Sequence, residues 1–221
     1  MIERIKTLAG AFDFKKEYKD LYLPTAKPNI IDVPKMVFIM VDGKGNPNTC
    51  EAYKNAVGLV YALSYSIKMS KMRATQPRDY FEYIVPPLEG LWWGEGNYFD
   101  ESFIQDKDRL HWTSMIRQPE FAVQEVYEEA KIALGKKKPE LDLSLARLVS
   151  LAEGLCVQIM HVGSYDDEPA TIEVLNKFIA EMGYKNDIST NRKHHEIYLG
   201  DPRKTIPEKL KTVIRHPIVR C

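Results

Sequence analysis

One run occurs twice in this chain, and its repetition limits the folds open to it. MVFIMVDGKG (Met36 to Gly45) leads into a segment of helical periodicity, and LCVQIMHVGSYDDEP (Leu155 to Pro169) does the same about half a chain later. Downstream, FEYIVPPLEGLWW (Phe81 to Trp93) and SMIRQP (Ser114 to Pro119) find shorter counterparts in HEIYLGDP (His195 to Pro202) and TVIRHP (Thr212 to Pro217). Two related units imply a seam between them, and a seam is where a small-molecule pocket is expected. With 221 residues the chain is long enough to bury a core, and it reads as one fused unit.

The local patterns fill in that frame. Asn29 to Val33 and Met36 to Val41 are β-rich runs joined in hairpin style by Pro34 and Lys35. Asn48, with Glu51 three residues on, has the form of a capping box, and Tyr53, Ala56, Val57, Val60, Ser64 and Ile67 follow at helical spacing. Tyr80 to Val85 reads as a strand stopped by Pro86 and Pro87, LEGLWWGEG as a glycine-flanked loop, and His111 to Pro119 as the next strand. A linking helix is expected over about 120–135, marked by Val123, Val126, Tyr127, Ala130 and Leu134.

In the second unit ARLVSLAEGLCVQIMHVG gives two β-like runs, the first also compatible with a helix. Asp166 or Asp167 and Pro169 open a helix that Gly183 stops, and strands follow at His195 to Leu199 and Lys211 to Arg215. The expected fold is α+β: a single domain over 1–221 of two β-β-α-β-β repeats, about 29–119 and 140–217, after a lead-in of residues 1–28 whose role the sequence does not reveal. Pairing is mainly antiparallel, helices cover one face, and a ligand groove lies at the pseudo-twofold seam.

Charge and cysteine content exclude several function classes. Thirty-one basic residues balance 31 acidic ones, so no global field draws in nucleic acid or an anionic membrane, and a small molecule is the expected partner. Cys50, Cys156 and Cys221 are odd in number and scattered, which argues for a reducing, cytoplasmic location rather than a disulfide framework. Gly43 to Gly45 lack the third glycine and the immediate helix of a dinucleotide fingerprint, so no cofactor is expected. His194 and His195 lack the spacing of a zinc-protease helix, and no metal site is expected. Cys156 in its apolar run reads as a buried, inert thiol.

What remains is a set of aromatic rings with a few carboxylates inside strands. Side chains alternate along a strand, so Glu196 and Tyr198 share one face and Ile197 and Leu199 the other. Glu196 among rings would be a base or a cation partner; on a solvated face it would pair with a nearby lysine or arginine. Glu82 is read as its counterpart in the first copy. Trp92 and Trp93 read equally as core or as a ligand lid, and Tyr61, Tyr83, Trp112 and Tyr127 as core or as aromatic surface for a flat ligand.

DFKKEYKDLY, YFEYIVPPLEGLWW, GLCVQIMHVGSYDDEPATIE and HHEIYLGDPRKT together resemble the GyrI-like small-molecule-binding family over nearly the whole chain. The resemblance implies two related modules around a central groove. It further implies either a drug-binding module or a cyclopropanoid cyclopropyl hydrolase, which opens the cyclopropane of DNA-alkylating compounds by adding water; length and the segments PPLEGLWW and HHEIYLGDPRKT favour the second. Carried onto this chain, it gives Glu196 as the key acid and Trp92, Trp93, Tyr83 and Tyr61 as the aromatic wall; the chemistry of ring opening then calls for Glu196 as general base and Tyr198 or another tyrosine as donor to the developing oxyanion.

Overall fold

The computed structural model describes residues 10–72, 76–94 and 107–221; the first nine residues of the lead-in lie outside them. Its strands are β1 (Phe12–Asp13), β2 (Asn29–Val33), β3 (Met36–Lys44), β4 (Tyr83–Ile84), β5 (Leu88–Trp93), β6 (His111–Gln118), β7 (Ala146–Leu151), β8 (Gly154–Val162), β9 (Tyr184–Asn186), β10 (His194–Tyr198) and β11 (Lys211–Arg220). Helical segments are α1 (Phe14–Glu17), α2 (Lys19–Tyr22), α3 (Glu51–Lys68), α4 (Gln124–Lys137) and α5 (Glu168–Glu181).

The main sheet runs β2-β8-β11-β10-β5-β6-β3-β7, with β9 added to β11 and every pairing antiparallel. Read from either end the order is the same in kind: a leading strand, then the first, fourth and third strands of a repeat. The third strands, β5 and β10, meet in the middle. The leading strand of each repeat lies on the other repeat, since β2 pairs with β8 and β7 with β3.

That exchange corrects the hairpin expected at Pro34 and Lys35. β2 and β3 do not fold back on each other. Asn29 opposes Gln158, Val33 opposes Gly154, Met36 opposes Leu151 and Val41 opposes Ala146. The register is therefore unchanged across the break, and β2–β3 and β7–β8 are two long, bent strands paired along their length. Proline at the break has no N–H to give the ladder, so pairing is interrupted there without being lost.

The long helices are held by buried stripes. α3 places Ala56, Leu59, Val60, Leu63 and Ile67 in the core, each large residue contributing roughly 1.5–3 kcal/mol on full burial. Its N-cap is Cys50 without a side-chain bond, so the expected Asn48–Glu51 capping box is not made; Asn46 instead accepts the Asn48 N–H at 3.0 Å. α5 sets Ile172, Leu175 and Ile179 against Val157, Ile159, Ile214 and Ile218, a cluster separate from the larger one around α3. The larger cluster also takes in residues of the β5–β10 seam, among them Trp92 and Ile197.

The opposite face of the sheet is covered by residues 12–22. Phe14, Leu21 and Tyr22 are buried, Tyr22 donates to Glu89 Oε1 at 3.2 Å, and Arg117 lies 4.7 Å from the Phe14 ring centroid and 4.3 Å from that of Tyr18. Beneath them Glu153 joins His195 at 2.9 Å and Arg215 at 2.8 Å, and Arg215 also donates to the Leu21 carbonyl at 2.8 Å. The lead-in thus closes a buried layer of paired charges, which stay buried because each is hydrogen-bonded.

Candidate functional site

β10 and β5 bring the seam residues together. Glu196 pairs directly with Gly90, and His194 with Trp92, so alternation puts Glu196, Tyr198, His194, Gly90 and Trp92 on the helix-bearing face and His195 and Glu89 on the other. Glu196 is only 8 % exposed. Its Oε2 accepts the Tyr198 hydroxyl at 2.7 Å, and its Oε1 lies 2.9 Å from His194 Nε2. Tyr198 in turn accepts the indole N–H of Trp92 at 2.9 Å.

The two helices supply the walls. Tyr53, in the first turn of α3, packs 5.8 Å from the Trp92 ring and 5.1 Å, edge-on, from Trp112. Tyr165, in the turn before α5, meets Tyr198 edge-on at 5.8 Å. Both are half-buried. Burial and then the nearby Glu196 push the Tyr165 hydroxyl up to about 12, and the same two causes, in that order, push Tyr53 and Tyr198 upward. All three remain protonated donors near neutral pH. Glu168, the first residue of α5, is buried, and burial together with Glu196 raises its carboxyl well above the ordinary range. The seam therefore holds two carboxyl groups, Glu196 on β10 and Glu168 at the start of α5.

The expected wall residues are distributed unevenly. Trp92 and Trp112 belong to the seam, Trp112 lying flat over Gly43. Both Trp92 and Trp93 are in a strand, which corrects the loop reading of LEGLWW. Trp93 faces away from Glu196, stacked on His111 at 5.8 Å with Lys193 4.7 Å from its ring. Tyr83 packs among Phe14, Phe81 and Phe121, and Tyr127 donates to the Ala146 carbonyl at 2.7 Å inside the core. Tyr61 lies about two turns beyond Tyr53 on α3, half-buried near Tyr65, Asp201 and Arg203. Tyr165, Glu168 and His216 carry no signal in the sequence pattern; Tyr53 reads there only as part of a helix face, and His194 only as a metal candidate without the spacing.

Register also corrects the expected partner of Glu196. Matching MIRQP to VIRHP aligns Ile116 with Ile214; Leu88 opposes the first and Glu196 the second. Leu88, not Glu82, is therefore the first repeat's equivalent. Glu82 is half exposed and paired with Lys71 at 2.6 Å. His194 and His195 point to opposite faces of β10, so they cannot bind one ion together, and among the described residues no group of three or more His, Cys, Asp or Glu side chains could hold a metal. Cys156 is buried, and burial raises its thiol to about 12, which leaves it protonated.

A polar seam with a buried carboxylate and aromatic walls, at the joint of a duplicated α+β sheet, defines a small-molecule-binding module. The chain belongs to the GyrI-like small-molecule-binding domain family, whose model matches residues 26–219. A crystal structure of an uncharacterized conserved protein from Listeria innocua is similar at 50 % identity and a TM-score of 0.88, covering 94 % of this chain and all of that one. Two crystal structures of hydrolases from the same organism are similar at 47 % and 48 % identity, with TM-scores of 0.85 and 0.86, covering 94 % and 95 % of this chain and all of theirs. The C-terminal domain of EcmrR shares the fold at 11 % identity and a TM-score of 0.51. No curated protein matches. No helix among the described residues is long and apolar enough to cross a membrane.

Proposed function

We propose that the protein is a hydrolase that adds water to the activated cyclopropane of flat, DNA-alkylating compounds and so disarms them. One observation carries this reading: Glu196, nearly buried at the seam, is gripped at both oxygens and surrounded by Tyr53, Tyr165 and Trp92. Similarity to hydrolases at 47–48 % identity supports water as co-substrate.

In the proposed step the oxygen of water bonds to the cyclopropane methylene carbon. The ring C–C bond breaks, and its electron pair runs into the conjugated dienone to leave a phenolate. Glu196 takes the water proton as attack proceeds and returns it to the phenolate, so the sum is the addition of one water. Tyr198 commits its proton to Glu196 and acts by orienting it. Stabilisation of the developing oxyanion then falls to Tyr53 or Tyr165, both protonated, while Trp92 backs the wall that holds the flat ligand.

The rival is a binder that sequesters flat or cationic compounds without turning them over, using the same carboxylate. Incubation with a cyclopropane-bearing alkylator, followed by mass spectrometry, separates the two. Multiple turnovers to a water adduct are expected, and Glu196→Gln lowers the rate by roughly 100-fold or more. A stoichiometric complex of unmodified ligand would establish the binder instead.

A further inference from the structure

A file of side chains runs from Glu196 away from the pocket. His194 Nε2 is 2.9 Å from Glu196 Oε1, His194 Nδ1 is 2.7 Å from His216 Nε2, and His216 Nδ1 is 3.0 Å from Asn186 Nδ2. Both imidazoles are buried and Asn186 is exposed.

The polarity of the file is set at its outer end. Asn186 Oδ1 accepts the Ile188 N–H at 2.9 Å, which turns the amide nitrogen toward His216. His216 Nδ1 must then accept. An imidazole keeps at least one proton, so that proton sits on Nε2 and is donated to His194 Nδ1. His194 is left with its own proton on Nε2, aimed at Glu196. Both rings are neutral. Burial lowers the proton affinity of His216 in the same sense.

We infer that Asn186, His216 and His194 form a positioning relay that holds the Glu196 carboxyl group in one orientation. The inference rests on Glu196 being the acting group. The file is not a proton channel, because an amide closes its outer end and cannot pass a proton inward. Its task follows from the surroundings of Glu196: Tyr198 from β10, Tyr53 from α3, Tyr165 and Glu168 from the start of α5, and Trp92 from β5. Partners fixed at both oxygens keep the carboxyl group from turning among them.

His216→Leu tests the relay without touching Glu196, and His216→Gln supplies an amide nitrogen in place of the Nε2–H donor. With a cyclopropane-bearing alkylator and the full chain, His216→Leu is expected to lower kcat about tenfold or more and leave KM nearly unchanged. His216→Gln restores most of kcat. Independently of turnover, ¹⁵N spectra of the histidine rings at neutral pH should give the neutral Nε2–H tautomer at both positions. A doubly protonated ring or an Nδ1–H tautomer at His194 would overturn the inference, as would an unchanged kcat in His216→Leu while Glu196→Gln is inactive. Full activity of Glu196→Gln would instead sink the functional reading, and the ring tautomers would still decide the hydrogen-bond polarity.

Discussion

Gly90 stands directly across the strand pair from Glu196, and its missing side chain makes room for the groups that grip that carboxylate. A Cβ added to Gly90 would lie 2.7 Å from Trp92 Nε1 and 3.0 Å from the Tyr198 hydroxyl. Those two atoms are bonded to each other through the space a methyl would take. The first repeat thus contributes a vacancy where the second contributes the acid.

Gly90→Ala should therefore push Tyr198 off Glu196 Oε2. Overpacking of this kind costs about 1–3 kcal/mol, which a domain of this size tolerates, while turnover of an alkylator should fall about tenfold or more through the lost bond to a charged group. Denaturant unfolding and kcat measured on the same preparation check both; undiminished kcat would show that the Trp92–Tyr198 bond is not needed.

Glu168 gives a pH signature. Its carboxyl is raised by burial and by Glu196, so the folded state holds a proton that the unfolded chain releases in the ordinary carboxylate range. Stability from this group is complete below the ordinary glutamate value of 4.5 and is lost as pH rises through its native value. Glu168→Gln keeps the shape and cannot ionise. Its melting temperature should decline less than that of the parent protein as pH rises from 5 to about 9, and equal slopes would mean that Glu168 is already ionised.

The buried charges under the lead-in predict two limbs. For Glu153, burial pushes upward but His195 and Arg215 outweigh it and hold the carboxyl at about 2; its contribution is present above 4.5 and lost as pH falls toward 2. For His195, burial pushes downward but Glu153 and Glu89 outweigh it and raise the ring to about 9; its contribution is present below 6.5 and lost as pH rises toward 9. The network is thus most stabilising between pH 4.5 and 6.5. Glu153→Gln, which leaves Arg215 short of its partner, should cost about 3–5 kcal/mol, measured by urea unfolding at pH 6.

Gly43 and Trp112 offer a coupling test. A Cβ on Gly43 would fall 2.2 Å from Trp112 Cη2, inside any permissible contact. Gly43→Ala alone should destabilise by about 1–3 kcal/mol, and Trp112→Leu, which withdraws the six-membered ring, should recover part of that loss in the double variant. Strict additivity in a double-mutant cycle would exclude direct contact.

The duplicated frame was legible because SMIRQP and TVIRHP keep their register position in both copies, and the alternation of Glu196 with Ile197 correctly paired Glu196 with Tyr198. The strand expected over Tyr80 to Val85 is made only at Tyr83–Ile84, where it pairs in parallel with Phe12–Asp13 apart from the main sheet, because Tyr83 is buried against Phe14 and Phe121. Leu88 to Trp93 looked like a loop because of its glycines. It is a strand because β6 and β10 flank it, a non-local fact. Pro34 and Lys35 imitate a turn, but the partners that keep β2 and β3 in one register are more than a hundred residues away in sequence. Tyr53, Tyr165 and Glu168 sit at helix starts, where helical periodicity carries no information about what lies across the seam. His216 reaches His194 only through the β10–β11 register.

The long paired strands β2–β3 and β7–β8 have one more consequence. Because each half of the molecule carries the other half's opening strand, the halves are interlaced rather than merely docked, and spreading them would unzip the ladder from Asn29 to Val41. The pocket therefore has no hinge. Neither half should fold when expressed alone, and the long sequence separation of these pairs slows folding of the whole. At the proposed site, then, fitting a bulkier guest falls among the described residues to rings such as Tyr53 and Tyr165 on a frame that stays still, so the proposed discrimination among ligands is a matter of side-chain fit rather than domain closure.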